Sequence, residues 1–138
     1  MNDTGSNSPP SYPHHYTDFC NYNSINLTAG DVITVSSSNY PEKYNVNTEC
    51  TVYLSAHNNG RVVLRFLDFE LEEGWDFLTV GTGRNSSNVI SKYTGHYVPE
   101  TLSSEITDIW IFFDADGLYS FKGFLLQFEW QNQSGELV

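Results

Sequence analysis

The sequence predicts an all-β fold, an antiparallel β-sandwich of jelly-roll-like type with one disulfide. Apolar residues recur with a period of two rather than with the 3.6-residue period of a helix. Aromatic residues are frequent, since 15% of the chain is Phe, Trp or Tyr. The short apolar segments are separated by turn signals rich in Gly and Asn. Several short strands at this spacing are typical of two packed sheets.

The first strands are predicted from alternation along the chain. Val32–Val35 is a short apolar segment. In the next segment every second residue is apolar, namely Cys50, Val52 and Leu54. This alternation places the Cys50 side chain on the core face. A third segment has one apolar side, formed by Val62, Leu64 and Phe66. Each pattern predicts a strand with one buried face.

The second half of the chain continues the pattern. Shorter strands are predicted over Phe77–Val80, Val89–Tyr93 and Leu102–Ile106. Asp108–Phe113 is apolar on both faces, as suits a central strand that is covered on both sides. The clearest alternation is the last, in which one apolar face is formed by Phe124, Leu126, Phe128 and Trp130.

The chain of 138 residues has the length of one domain. Residues 1–17 are polar and Pro-rich and are expected to be a disordered tail or linker, and residues 132–138 a second loose tail. The sandwich is therefore expected over residues 18–131. No apolar run approaches the roughly 18 residues of a membrane span, so this segment is not expected to insert into a membrane. No signal peptide is visible after Met1.

The net charge of −11 limits the classes of partner. Such a field repels the phosphates of nucleic acids and of anionic lipids, and it favours cations and basic proteins. Nucleic-acid binding is therefore not expected. The alternative is that the charge only keeps the protein soluble.

The two cysteines, Cys20 and Cys50, are either separate thiols or one disulfide. Four Asn-x-Ser/Thr sequons, potential N-glycosylation sites in a secreted chain, favour an oxidising compartment and begin at Asn2, Asn26, Asn85 and Asn132. We interpret the cysteines as a disulfide of an extracellular protein, either secreted or the ectodomain of a membrane protein.

A run of twelve residues resembles the signature of the CUB domain, an extracellular β-sandwich module. It reads Asn39-Tyr40-Pro41-Glu42-Lys43-Tyr44-Asn45-Val46-Asn47-Thr48-Glu49-Cys50. The resemblance continues in family order from Cys20 to about Trp130, through Phe66, Phe69, Glu72, Trp75-Asp76-Phe77-Leu78, Phe113-Asp114-Ala115-Asp116 and Gly123-Phe124. The order and spacing of these matches make the resemblance specific.

The sequence departs from the family pattern at the second family disulfide. Its first position falls at Glu73-Gly74, and its second reads Thr94-Gly95. Both halves are missing together, as expected if the bridge was lost as a unit. The loop from Glu72 to Asp76 is several residues shorter than in the family, which would either move Asp76 out of reach of the other carboxylates or tighten the site.

The resemblance implies a calcium site formed by Glu72, Asp76 and Asp116. Calcium takes six to eight oxygen ligands, commonly carboxylates, backbone carbonyls and waters. Further oxygens are expected from Asp114 and from the backbone at Gly117 and Leu118, and Tyr40 is implied to support the site by hydrogen bonding. The alternative is that these acids are solvated loop charges.

The resemblance further implies a recognition module that binds a protein partner, whose Lys or Arg reaches the carboxylates beside the ion. Trp75 and Tyr119 flank this site as candidate contacts for the partner, although for Trp75 packing at the base of its loop is the favoured interpretation. A calcium-dependent carbohydrate-binding sandwich and a metal-free interaction module remain open. No enzyme is expected, because no G-x-S-x-G or H-E-x-x-H motif is present.

Overall fold

The computed structural model describes residues 16–83, 88–103 and 107–133. Within these ranges the chain forms one short 3-10 turn, Phe19–Asn21, and the following strands: β1 Thr17–Asp18, β2 Ser24–Leu27, β3 Val32–Ser36, β4 Thr48–Ala56, β5 Gly60–Glu70, β6 Phe77–Thr82, β7 Asn88–Tyr93, β8 Leu102–Ser103, β9 Asp108–Ala115 and β10 Gly123–Asn132. The predicted all-β fold is confirmed. The end of the predicted strand Leu102–Ile106 lies outside the described residues.

The strands form two five-stranded sheets, with the orders β2-β4-β9-β6-β7 and β1-β3-β10-β5-β8. Most neighbours are antiparallel, as the sequence predicts. Two pairs at the sheet edges, β1 with β3 and β2 with β4, are parallel. The sequence does not show these pairs because alternation reports which face of a strand is buried, not the direction in which its neighbour runs. Thr17, placed in the N-terminal tail by the sequence, pairs with Val35.

The central strands are those whose patterns are strongest in the sequence. β9 lies between β4 and β6, which confirms the prediction for Asp108–Phe113. β10 lies between β3 and β5 and buries one face almost completely, with Phe124, Leu126 and Phe128 at 0% exposure. Each such side chain stabilises the fold by roughly 1.5–3 kcal/mol relative to exposure.

Aromatic rings join the two sheets in the core. Phe113 of β9 meets Phe124 of β10 edge to face at 5.0 Å between ring centroids, and Phe19 meets Phe124 at 5.6 Å. Edge-to-face pairs contribute beyond the apolar area that they bury. These contacts lie near the last residues of β9 and the first residues of β10, so they hold the two sheets together at one end of the sandwich.

The predicted disulfide between Cys20 and Cys50 is confirmed, with a Cα–Cα distance of 5.5 Å. It joins the 3-10 turn to β4. The Asp18 carboxylate accepts a hydrogen bond from the Cys20 backbone N–H at 2.9 Å and so caps that turn. The bridge therefore anchors the N-terminal part of the described chain to the sheet that contains β9.

Two loops cross between the sheets at one end of the sandwich. The segment 71–76 leads from β5 to β6, and the segment 116–122 leads from β9 to β10. Asp114 of β9 pairs with Phe77 of β6, and Gly123 of β10 pairs with Glu70 of β5, so these strand ends are adjacent. Antiparallel pairing thus brings the two loops side by side. Among the described residues, no helix is long and apolar enough to cross a membrane.

Candidate metal centre

Three carboxylates from the two crossing loops converge at this end of the sandwich. One carboxylate oxygen each of Glu72, Asp76 and Asp116 lies within 4.8 Å of the others. We call these three residues the acidic cluster. The shortened loop does not move Asp76 out of reach, because the segment closes into a tight turn. In that turn the backbone N–H groups of Trp75 and Asp76 donate to the Glu72 carbonyl at 3.2 and 3.0 Å.

Asp76 is the centre of the cluster and is 0% exposed. Its Oδ1 accepts a hydrogen bond from the Asp116 backbone N–H at 2.8 Å, and its Oδ2 accepts one from the Tyr44 hydroxyl at 2.5 Å. Burial raises the pKa of Asp76, the two hydrogen bonds act against that rise, and the negative charge of Asp116 adds to it. The first of these bonds ties the two crossing loops directly to each other.

Tyr44 supports the cluster from below. Its ring is 2% exposed and packs edge to face on Phe113, with 5.4 Å between ring centroids. Its hydroxyl donates to Asp76 and accepts a hydrogen bond from the Glu72 backbone N–H at 3.1 Å. One side chain therefore positions two members of the cluster.

The structure corrects the role that the sequence analysis gives to Tyr40. The Tyr40 hydroxyl bonds to Asp68 of β5 and contacts no member of the acidic cluster. Both tyrosines belong to the same signature run, but Tyr40 lies at its Pro-containing turn while Tyr44 enters the core. Tyr44 was missed because its neighbours Lys43 and Asn45 are exposed and nothing local indicates that it is buried.

The signature run also holds the second crossing loop. The Asn47 backbone N–H donates to the Asp116 carbonyl at 2.8 Å, and the Tyr44 backbone N–H donates to the Phe121 carbonyl at 3.0 Å. The backbone therefore closes both ends of the loop that carries Asp116. This is the physical role of the run that the sequence singled out.

Glu72 carries the least satisfied oxygen of the cluster. Its Oε1 is shielded from solvent and has no hydrogen-bond partner among the described residues. Burial raises the pKa of Glu72, and the negative charge of Asp116 raises it further. A shielded carboxylate oxygen without a donor, beside two other acids, is the electrostatic environment that a cation stabilises.

The other predicted oxygen donors lie nearby but outside the cluster. Asp114 is not among the carboxylates that meet within 4.8 Å. The Leu118 backbone N–H donates to Asp116 Oδ1 at 3.2 Å, so this residue orients a carboxylate of the cluster. Gly117 is exposed and lies beside the Asn47 side chain.

Large apolar side chains are exposed on both crossing loops. Trp75 is 63% exposed, Leu118 69% and Tyr119 66%. The favoured interpretation from the sequence, that Trp75 packs at the base of its loop, is therefore wrong, and contact of Trp75 with a partner stays a prediction. The tight turn from Glu72 to Asp76 leaves the indole no core position, because the buried place at the end of the turn is taken by Asp76.

The asparagines of two of the four sequons lie in described residues. Asn26 is exposed on the edge strand β2, and Asn132 ends β10. Asn2 and Asn85 lie outside the described residues. Glycosylation at these positions stays a prediction.

Comparison with known proteins identifies the CUB domain family. The sequence model of the CUB domain family matches residues 20–128. Human cubilin is 31% identical over 113 residues, which is 78% of this chain and 3% of cubilin. The chain thus spans a small part of the curated relatives that it matches.

Solved structures show the same fold. The CUB1-EGF-CUB2 region of human MASP-1/3 aligns with a TM-score of 0.69 at 20% identity, covering 83% of this chain and 42% of that one. The MASP-1 CUB2 domain bound to Ca2+ aligns with a TM-score of 0.65 at 24% identity, covering 78% of this chain and 96% of that one.

Proposed function

This chain belongs to the CUB domain family, and from that premise we propose that it is an extracellular recognition module whose acidic cluster binds calcium and accepts a Lys or Arg of a protein partner. The observation that carries the proposal is the convergence of three carboxylates within 4.8 Å, with one shielded oxygen that has no hydrogen-bond donor among the described residues. No catalytic role is proposed for the cluster.

The donor set fits calcium. All three side chains offer carboxylate oxygens, the ligands that hard cations such as Ca2+ prefer. Asp76 keeps a free lone pair on each oxygen after its two hydrogen bonds, and Glu72 Oε1 accepts none from the described residues. When bound, the ion would neutralise part of the repulsion within the cluster and hold the two loops together. A Ca2+-bound MASP-1 CUB2 domain of the same fold supports the assignment.

The chain's own residues then determine what the partner meets. Tyr44 and the backbone N–H of Asp116 hold Asp76 in place, so the carboxylate does not reorganise when a cation approaches. An ammonium or guanidinium group of a partner gains charge-assisted hydrogen bonds to carboxylates that are already ordered. Trp75 and Tyr119, both exposed on the crossing loops, offer apolar contacts around that cation.

The charge of the whole chain supports a basic partner. The net charge is −11, and among the described residues Arg65 forms an ion pair with Glu129 and Lys122 with Asp68. The field around the cluster is therefore dominated by acids, which attract a basic protein and speed its association.

The first test is thermal unfolding of the full chain in chelator and across a calcium titration, with magnesium as the control. A ligand that binds only the folded state raises the melting temperature with its concentration. We expect a rise with calcium that magnesium does not reproduce. A wild-type melting temperature that does not change with calcium concentration would exclude the metal site.

The second test addresses the partner with poly-L-lysine as the probe, measured by surface binding in calcium and in chelator. Asp116→Asn should weaken the calcium-dependent binding. Glu100→Gln, which removes one charge at an exposed position that is not part of the cluster, should not. Equal effects of the two variants would indicate non-specific attraction by net charge. Calcium-dependent binding of free monosaccharides, together with no binding of poly-L-lysine, would instead favour the carbohydrate-binding alternative.

A further inference from the structure

Thr94 directly follows β7 and contacts the backbone of the loop that carries two members of the acidic cluster. Its Oγ1 lies 2.7 Å from the Asp76 carbonyl oxygen and 3.2 Å from the Glu72 carbonyl oxygen, and it accepts a hydrogen bond from the Gly74 backbone N–H at 3.0 Å. The single hydroxyl proton is placed for the shorter of the two carbonyl contacts. One side chain therefore contacts three backbone groups within a five-residue turn.

The middle of this turn is exposed, and the Tyr44 and Asp116 bonds that reach the turn from outside act at its two ends, on Glu72 and Asp76. Glu73, Gly74 and Trp75 are exposed, and Gly74 has a φ of +80°. Next to Thr94, the Gly95 carbonyl accepts a hydrogen bond from the Leu71 backbone N–H at 2.9 Å, just before the turn. Thr94 and Gly95, directly after β7, therefore bond to the backbone within the turn and just before it, and the Thr94 hydroxyl reaches the middle of the turn at Gly74.

The position of the turn determines where two carboxylates lie. Glu72 and Asp76 begin and end it, and Thr94 contacts the carbonyl oxygen of each. An exposed turn with a Gly at its centre would otherwise sample other conformations, and these would strain the bonds that hold Glu72 and Asp76 at its two ends. Fixing the backbone beforehand removes that ordering cost from ion binding.

We propose that the Thr94 hydroxyl is the positioning group that pre-organises the turn from Glu72 to Asp76 for the cation, a role that rests on the calcium site of the proposed function. The hydroxyl does not contact the ion. It acts through the backbone of the two residues that supply the carboxylates.

A matched pair of variants isolates the hydroxyl. Thr94→Ser and Thr94→Ala both remove the methyl group and differ only in the hydroxyl, so their comparison is independent of the packing that both lose. Thr101→Ala, at an exposed position of the following loop, controls for the loss of a threonine. Because alanine adds no bulk, it avoids the clash that a valine methyl would make with the Asp76 carbonyl oxygen.

Two readouts are measured on the full chain. In chelator, amide hydrogen exchange of Gly74 should be about five- to tenfold faster in Thr94→Ala than in Thr94→Ser. The Leu71 amide, bonded to the Gly95 carbonyl, serves as the internal reference and should exchange equally in both. By calorimetric titration, calcium should bind about ten- to a hundredfold more weakly to Thr94→Ala than to Thr94→Ser, as for other groups that orient metal ligands.

The two readouts separate the two proposals. Equal Gly74 exchange in the serine and alanine variants overturns the role of Thr94, and so does equal calcium affinity where the wild type binds calcium. If the wild type binds no calcium, the proposed function fails on its own. The exchange rates in chelator then still decide whether the hydroxyl holds the turn.

Discussion

Replacing Tyr44 with phenylalanine removes one hydroxyl from beneath the acidic cluster and leaves the buried ring on Phe113. The variant deletes the bond to Asp76 Oδ2 at 2.5 Å and the acceptor of the Glu72 backbone N–H at 3.1 Å. Burial, and then the bond to Asp76, raise the pKa of Tyr44, so the hydroxyl is protonated and donates at neutral pH.

The magnitude follows from these two contacts. A hydrogen bond to a charged group contributes about 1.5–3 kcal/mol, and a buried N–H left without an acceptor costs about 1–3 kcal/mol. Because Glu72 is only partly buried, the lower part of the second range applies, and we expect a loss of about 3 kcal/mol in the free energy of unfolding. For a domain of this size that corresponds to roughly 10–15 °C in melting temperature.

The assay is thermal unfolding in chelator at pH 7, followed by calorimetric titration with calcium. Tyr40→Phe is the matched control, since Tyr40 makes one hydroxyl–carboxylate bond, to Asp68, on a partly exposed part of the surface. We expect Tyr40→Phe to cost about 1 kcal/mol and to leave calcium affinity unchanged. Tyr44→Phe should weaken calcium binding about ten- to a hundredfold. Equal losses in stability for the two variants, or unchanged calcium affinity in Tyr44→Phe, would refute the reasoning.

Four further predictions concern charge and covalent structure. Asp116→Asn keeps an acceptor oxygen but removes the negative charge that helps to raise the pKa of the other two carboxyls. We expect the variant to have a melting temperature about 2–5 °C higher than the wild type in chelator and a lower one in calcium. A lower melting temperature in both conditions would contradict repulsion within the cluster. A raised carboxyl pKa means that the folded state binds the proton more tightly than the unfolded chain does. In chelator, the free energy of unfolding of the wild type should therefore increase through the cluster as the pH falls from about 7 towards about 4. The increase should be smaller in Asp116→Asn. For Asp68, burial acts to raise the pKa, but the hydrogen bonds from Tyr40 and Lys122 outweigh it and lower the pKa. Asp68→Asn should thus cost about 1 kcal/mol at neutral pH, and the cost should vanish as the pH falls through the lowered pKa; an equal cost at about pH 2 would show that the charge is not responsible. Replacing Cys20 and Cys50 together by alanine opens a bridge of sequence separation 30. We expect a loss of about 3–4 kcal/mol in the free energy of unfolding, measured by denaturant titration. A loss below about 1 kcal/mol would show that the bridge adds little constraint to the unfolded chain.

The fold could be predicted well because its signals are local or repeated. The buried face of β10 is visible as alternation over residues 124–130, and the exposure of those residues agrees with it except at Leu125, which is buried on the opposite face. The two parallel edge pairs could not be predicted, because β1 and β2 are short and their direction depends on where the chain enters each sheet.

The candidate site was predicted in its charged members and missed in its supporting ones. Glu72, Asp76 and Asp116 stand at motif positions that the resemblance makes recognisable. Tyr44 and Thr94 act on residues that are 28–32 and 18–22 positions away in the chain. No local pattern reports a hydrogen bond over that separation.

The sequence by itself determined the all-β class, the central strands, the disulfide pair and the three acids, because periodicity, cysteine number and motif order are properties of the chain. Only the tertiary structure decided which tyrosine supports the acids, that Trp75 is exposed, and that Thr94-Gly95 joins the shortened loop. The sequence marks both halves of a missing second disulfide, and in the fold the Thr94 hydroxyl links the same two segments by hydrogen bonds. These outcomes depend on which side chains meet when two sheets close on each other. That closure is set by packing across the whole core rather than by any segment.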